Sequence, residues 1–214
     1  MRFLLLLLAL LAGPLAAAPS PSTPGLVRVR LVTSAGAIVI ALDAQHAPKT
    51  TTNFLAYVDD GRFDGTAFYR AARRKGSPKL GFIQGGIAQD ARRILPSVPL
   101  EATDKTGIHH TDGAISMAHG PDPDSAAGNF SIMVGANPSL DARGEFRGFA
   151  AFGHVVSGMD VVRRILALPS GGGSDEMRGQ MITRPVKIIH AQRLDGTPHP
   201  AGRPKAWTLN IRRN

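Results

Sequence analysis

No cysteine occurs anywhere in the 214 residues. The chain therefore forms no disulfide, and a lipidated-cysteine anchor is excluded. The apolar stretch 3–18 falls short of the roughly 20 residues that a bilayer span requires, and no stop-transfer charges follow it. Acids are few, 16 against 25 bases, for a formal charge of +9. Such a balance favours anionic surfaces, but zinc-finger spacing, basic heptads and an aromatic RNA-binding motif are all missing, so no nucleic acid is expected as partner. There is no H-E-x-x-H and there are no paired carboxylates at ligand spacing, so no metal is expected and none is assigned. A G-x-S-x-G elbow is missing as well, which argues against a serine hydrolase. Gly171-Gly172-Gly173 lacks the lysine and hydroxyl of a phosphate loop and reads as a hinge between helix and strand.

What is present begins with Met1-Arg2, the apolar run Phe3–Ala12 and the small residues Ala16-Ala17-Ala18. A positive start, an apolar middle and a small-residue cleavage site describe an export signal over 1–18; a membrane anchor is the competing reading. The expected destination is the periplasm or the outside, with no stable anchor after cleavage. A flexible lead-in over 19–25 would follow, then a domain over 26–196, and a basic extension over 197–214. One domain of this size can build a proper core, which an exported chain without disulfides must rely on. Loss of Arg2 with the signal would leave a charge of +8, to which Arg203, Lys205, Arg212 and Arg213 of the acid-free extension contribute four.

Within the domain, Leu26–Val32 alternates apolar and basic residues, Ser34-Ala35-Gly36 turns, and Ala37–Leu42 completes a hairpin. Pro48 opens a helix carrying Asn53, Phe54, Leu55, Tyr57 and Val58, and Gly61 stops it. Strands are predicted at Thr66–Tyr69, Leu80–Gln84, Gly113–Ala118, Gly128–Val134, Phe149–Val156 and Pro185–Gln192. A second helix is predicted at Met159–Leu166. The basic insert 73–79 reads as a solvated loop. His109 and His110, placed on a strand, would face opposite ways, and the histidines read as solvated loop residues. The order of elements does not alternate βαβ. It predicts a mainly β fold, an eight-stranded antiparallel barrel capped by two α-helices.

The organising stretch is 63–86. Arg70 ends a short aromatic strand and Gln84 ends the next one, so a guanidinium and a carboxamide project from neighbouring strands beside apolar side chains. That arrangement suits binding a peptide. Four segments, Phe63–Arg70, Ile83–Gly86, Ile115–Ala118 and Phe152–Asp160, resemble in order and spacing those of the cyclophilins, the peptidyl-prolyl cis-trans isomerases. The resemblance runs from about Val27 to Leu194 and implies the cyclophilin barrel.

It also implies a chemistry that needs no cofactor. The bond before proline resists rotation by about 18–20 kcal/mol because the nitrogen lone pair is delocalised, and no covalent intermediate is required to overcome this. A catalyst has only to bind the twisted amide better than either planar form. By the resemblance Arg70 and Gln84 are catalytic: Arg70 donates to the prolyl nitrogen as its lone pair becomes available, and Gln84 orients that arginine and the substrate. Phe82, Ala118, His119, Asn129, Ser131, Leu140 and Phe149 fall at substrate-binding positions. Several depart from the family pattern. Phe82 takes a methionine position, Gly81 and Ser131 take phenylalanine positions, and Ser139 replaces a tryptophan linked to cyclosporin binding. Phe149 could refill part of the volume lost at Ser131, and Asn129 and His119 are expected to hydrogen-bond a peptide backbone. The resemblance thus implies weak cyclosporin binding and a proline site below the family norm. Two functions follow from it. One is a monomeric isomerase acting on proline-containing segments of exported proteins; the other is a peptide-binding protein or chaperone of the same fold with little turnover.

Overall fold

In the computed structural model, which describes residues 23–208, the first alternating segment forms β1 (Leu26–Thr33) and β2 (Gly36–Asp43). The expected export signal at 1–18 lies outside the described residues. β1 and β2 pair antiparallel from Leu26↔Asp43 to Thr33↔Gly36. Next come α1 (Pro48–Asp59), β3 (Ala67–Arg74), β4 (Ser77–Gly86) and the one-turn α2 (Thr103–Thr106). Then follow β5 (Ala114–Met117), β6 (Asn129–Val134), β7 (Ala151–Ser157), α3 (Met159–Leu166), β8 (Ser170–Gly171) and β9 (Met181–Arg193). The hydrogen-bonded order is β1-β2-β7-β5-β6-β4-β3-β9, and β9 pairs back to β1. This is the expected eight-stranded antiparallel barrel, closed so that no long strand is left as an open edge. The two-residue β8 merely adds to one end of β9. Among the described residues α2 is the one α-helix beyond the two expected.

Period-2 alternation fills the barrel. Val29 and Leu31 of β1, and Ile38, Ile40 and Leu42 of β2, have no exposed surface. The Phe54 ring of α1 lies 5.0, 5.2 and 5.4 Å from those of Phe63, Phe130 and Phe152. Burying each such ring contributes on the order of 2–3 kcal/mol. α1 starts at Pro48, and its first free N–H groups, those of Lys49 and Thr50, donate to the Glu101 carboxylate at 3.1 and 2.7 Å. That carboxylate satisfies the positive end of the helix. α3 buries Val161, Val162, Ile165 and Leu166.

Three sequence expectations need correction. The insert 73–79 is no loose loop: β3 runs to Arg74 and β4 begins at Ser77, leaving a turn at Lys75-Gly76. Arg73 turns back to donate from Nε to the Leu166 carbonyl at 2.8 Å and from Nη2 to that of Leu168. The C-terminal end of α3 carries unpaired carbonyls and partial negative charge, and this attracts the cation out of water. The last strand starts at Met181, four residues before Pro185, because the register to β3 jumps from Phe68↔Val186 to Arg70↔Met181. Proline is tolerated where a ladder is interrupted in this way. Gly171 belongs to β8, so the expected glycine hinge is partly paired strand.

The extension also packs against the domain, which the sequence left open. Asp59 and Asp60 accept from the His199 and Ala201 N–H groups at 2.8 and 2.9 Å. Trp207 lies under two guanidinium groups, with Arg62 Cζ at 4.7 Å and Arg93 Cζ at 5.1 Å from its ring centre.

Candidate active site

The direction in which Arg70 points is decided by a bulge. Phe68 is fully buried in the core, so strict alternation would also send Arg70 inward. Instead the register of β3 slips between Phe68 and Arg70, against both β4 and β9. Tyr69 is the extra residue. Beyond it Ala71 returns to the core cluster, while Tyr69 and Arg70 both line surface cavities. Bulges commonly re-aim a side chain in this manner. Arg70 ends directly opposite Gln84 on β4.

Three acceptors then fix the guanidinium. Its Nη1 donates to Gln84 Oε1 at 2.9 Å, its Nε to Gln180 Oε1 at 2.8 Å, and its Nη2 to the Glu176 carbonyl at 3.2 Å. Its Cζ lies 5.1 Å from the centre of the Phe82 ring. Burial lowers the Arg70 pKa, while Tyr69 and Glu176 oppose that effect; an arginine remains a cation throughout the working range. Tyr69 is pushed up to about 12, chiefly by burial, so its hydroxyl stays protonated.

Arg70 opens on a cavity of about 330 Å³ lined by Phe82, Gln84, Ala118, His119, Ser131, Leu140 and Phe149. Eight of the nine residues expected from sequence thus meet around one hollow. The ninth, Asn129, lines an adjoining cavity of about 570 Å³ that shares Gln84, Ala118 and His119 with the first. The polar atoms of Asn129 and His119 face the protein. Asn129 accepts from the Ala88 N–H at 2.8 Å and donates to the Ala88 carbonyl at 3.0 Å. The His119 ring nitrogens lie 2.7 and 2.9 Å from the Gly120 and Gly148 carbonyls, and its ring stacks on Phe149 at 4.2 Å.

The two small residues have different causes. Gly81 has φ +142°, and a Cβ there would sit 2.0 Å from the Ala72 carbonyl oxygen, so no side chain fits. Ser131 faces the hollow, and among the described residues its hydroxyl has no hydrogen-bond partner. Met133, two residues further along β6 and fully buried, lines the same cavity, and Met177 lines it from the loop after β8. Flexible thioethers fill such irregular volume well. Sequence reading passed over both. Met133 was accessible to it as the i+2 neighbour of Ser131, whereas nothing local marks Met177.

A polar chain under the pocket was also missed. His110 is not a solvated loop residue: its side chain has 0% exposure, with Nδ1 2.6 Å from Asp141 Oδ1 and Nε2 2.8 Å from Ser116 Oγ. His109 does not face the opposite way. Its Nδ1 lies 3.3 Å from the other Asp141 oxygen, because the pair sits in irregular chain before β5. A hydrolytic imidazole must reach the leaving group, and this one is sealed, so Asp141–His110–Ser116 is a structural network.

Burial lowers the His110 pKa, although Asp141 works against it. Above the unfolded histidine value of about 6.5 the group is neutral in both states. As pH falls below that value the unfolded chain takes up a proton that the folded one resists, and stability drops until the folded pKa is passed. For Asp141, burial works upward, but hydrogen bonds from His110 prevail and lower its pKa. Its contribution therefore fades only at more acid pH. Wild-type protein should lose more of its urea midpoint between pH 7 and pH 5 than His110→Gln does; equal losses would show that His110 does not govern this window.

Comparison with known proteins agrees over most of the chain. The family model described as cyclophilin type peptidyl-prolyl cis-trans isomerase/CLD matches residues 28–193. Peptidyl-prolyl cis-trans isomerase A of Dickeya dadantii is 38% identical over 137 residues, covering 64% of this chain and 70% of that protein. The isomerase cyp18 of Streptomyces antibioticus is 37% identical over 170 residues, with 78% and 98% covered. That of Acinetobacter baylyi is 33% identical over 164 residues, with 77% and 84% covered. A crystal structure of a Cryptosporidium parvum cyclophilin-type isomerase shares the fold at a TM-score of 0.63 and 20% identity, over 80% of this chain and 99% of that one.

Proposed function

This chain belongs to the cyclophilin-type peptidyl-prolyl cis-trans isomerase family and is such an isomerase, and we propose that Arg70 drives its reaction on proline-containing segments of exported proteins. The observation that carries the reading is a fixed guanidinium at the mouth of an apolar-walled hollow. Five N–H groups belong to it and three are engaged by the protein. One on each terminal nitrogen remains for the substrate. A donor held there favours the state in which the prolyl nitrogen has regained its lone pair, and a preset donor costs no reorganisation during rotation. Gln84, 6% exposed, supports the guanidinium from the neighbouring strand. The expected export signal at 1–18 supports action in the periplasm or outside, and the proposed form there is an unanchored monomer.

Two residues favour the second reading, a binding protein of this fold with little turnover. Gly81 supplies no wall, and Ser131 leaves a hydroxyl where a ring would grip proline. A protease-free exchange measurement on a proline tetrapeptide decides how much turnover the site delivers: rapid interconversion supports Arg70 as its driver, and binding with little turnover supports the second reading. Phe149 lines the same hollow as Ser131, but one face of its ring is taken up by stacking on His119. Ser131→Phe should therefore raise kcat/KM several-fold, with up to about 2 kcal/mol of apolar contact available. A fall would mean that Met133 and Met177 already occupy the volume.

A further inference from the structure

The loop between β8 and β9 crosses to the site and supplies a contact that the strands do not. Its stem is paired at Gly171↔Met181. It closes on itself through the Gly179 N–H to the Gly172 carbonyl at 2.6 Å and the Ser170 hydroxyl to the Gly179 carbonyl at 3.1 Å. The Gln180 carbonyl accepts from the N–H of Ala71, the residue after Arg70, at 2.8 Å. The Gln180 amide nitrogen donates to the Glu176 carbonyl at 3.0 Å, which leaves its oxygen aimed at Arg70 Nε. Backbone and side chain of Gln180 are thus both tied down before the guanidinium reaches it.

We propose that Gln180 is a positioning residue for Arg70, a second carboxamide that fixes the guanidinium on the edge Gln84 does not hold. Gln84 acts through Nη1 alone; Gln180 acts through Nε and also holds the Glu176 carbonyl that accepts from Nη2. A planar group held at all three of its nitrogens presents its free N–H groups in one direction, and a loss of a few tenths of an ångström in that aim weakens a contact that matters only at the twisted state. The inference rests on Arg70 carrying the rotation.

The test is a set of Gln180 variants in the same exchange assay. Gln180→Ala and Gln180→Asn, the latter too short to reach Nε, should lower kcat about tenfold with KM nearly unchanged, whereas Gln180→Glu, which keeps an acceptor of equal length, should retain most of the activity. Urea midpoints should match wild type throughout. In a double-mutant cycle, Gln180→Ala should cost little more once Arg70→Ala is present. Unchanged kcat in Gln180→Ala, while Arg70→Ala is impaired, overturns this inference alone. Equal loss in the Ala and Glu variants together with lowered urea midpoints also overturns it, since the residue would then only hold the loop. Unchanged turnover in Arg70→Ala overturns the underlying reading instead.

Discussion

Arg70→Ala should lower kcat/KM for a proline tetrapeptide by about a hundredfold while the protein stays folded. Each 1.36 kcal/mol removed from transition-state stabilisation is a factor of ten, and a hydrogen bond from a charged donor is worth about 1.5–3 kcal/mol. Two such N–H groups remain free on this guanidinium, so a loss of that order is reasonable. The fold should survive because Arg70 sits on the outer face of the barrel, and its partners Gln84 and Gln180 border cavities or solvent. Arg70→Lys should recover little, since an ammonium keeps the charge and loses the planar fork. Exchange spectroscopy gives the rate and the urea midpoint checks the fold. Turnover equal to wild type would remove Arg70 from the mechanism.

The largest loss of stability should come from a place far from that chemistry. The Arg62 side chain is 1% exposed, with its Nε 2.7 Å from Asp60 Oδ2. The rest of its guanidinium faces the Arg93 carbonyl at 3.1 Å, the Arg203 carbonyl at 3.4 Å and the Trp207 ring. Asp60→Ala leaves that cation buried without its counter-charge, which costs about 3–5 kcal/mol. Removing residues 197–214 should destabilise less, although it takes away Trp207 and the bonds to Asp59 and Asp60. The reason is that water then reaches Arg62 while Asp60 stays beside it. Urea denaturation of the two variants checks the order. If truncation cost as much as Asp60→Ala, water would not be replacing the extension around Arg62; if neither lowered the midpoint, the Arg62–Asp60 pair would contribute nothing to stability.

Segments whose neighbours in space are also neighbours in sequence were readable. The β1–β2 hairpin follows from its alternation and turn, and α1 from Pro48, its apolar spacing and Gly61. Four ordered motifs were enough for the family. Segments governed by distant partners were not readable. Arg73 looks like part of a solvated basic insert until the carbonyls at the end of α3 are placed beside β3. Residues 181–184 carry little strand signal before Pro185, and only pairing with β3 and β8 extends the strand. His110 looks like any loop histidine because Asp141 lies 31 residues away in the chain. The extension reads as a loose basic tail, and only the positions of Arg62 and Arg93 give Trp207 a place to lie.

The site divides in the same way. Residue types and their order determined the family, the barrel and the identity of the cation, since a guanidinium, a carboxamide and small backbone-exposing residues at those spacings are properties of the chain itself. Where that cation points was decided only on folding. Alternation alone would bury Arg70 beside Phe68, and it is the one-residue slip against β4 and β9 that turns it out to the groove. Such a slip depends on how three strands meet at once, which local sequence does not encode. The same holds for Gln180, brought to Arg70 from 110 residues away by a loop closing on its own backbone.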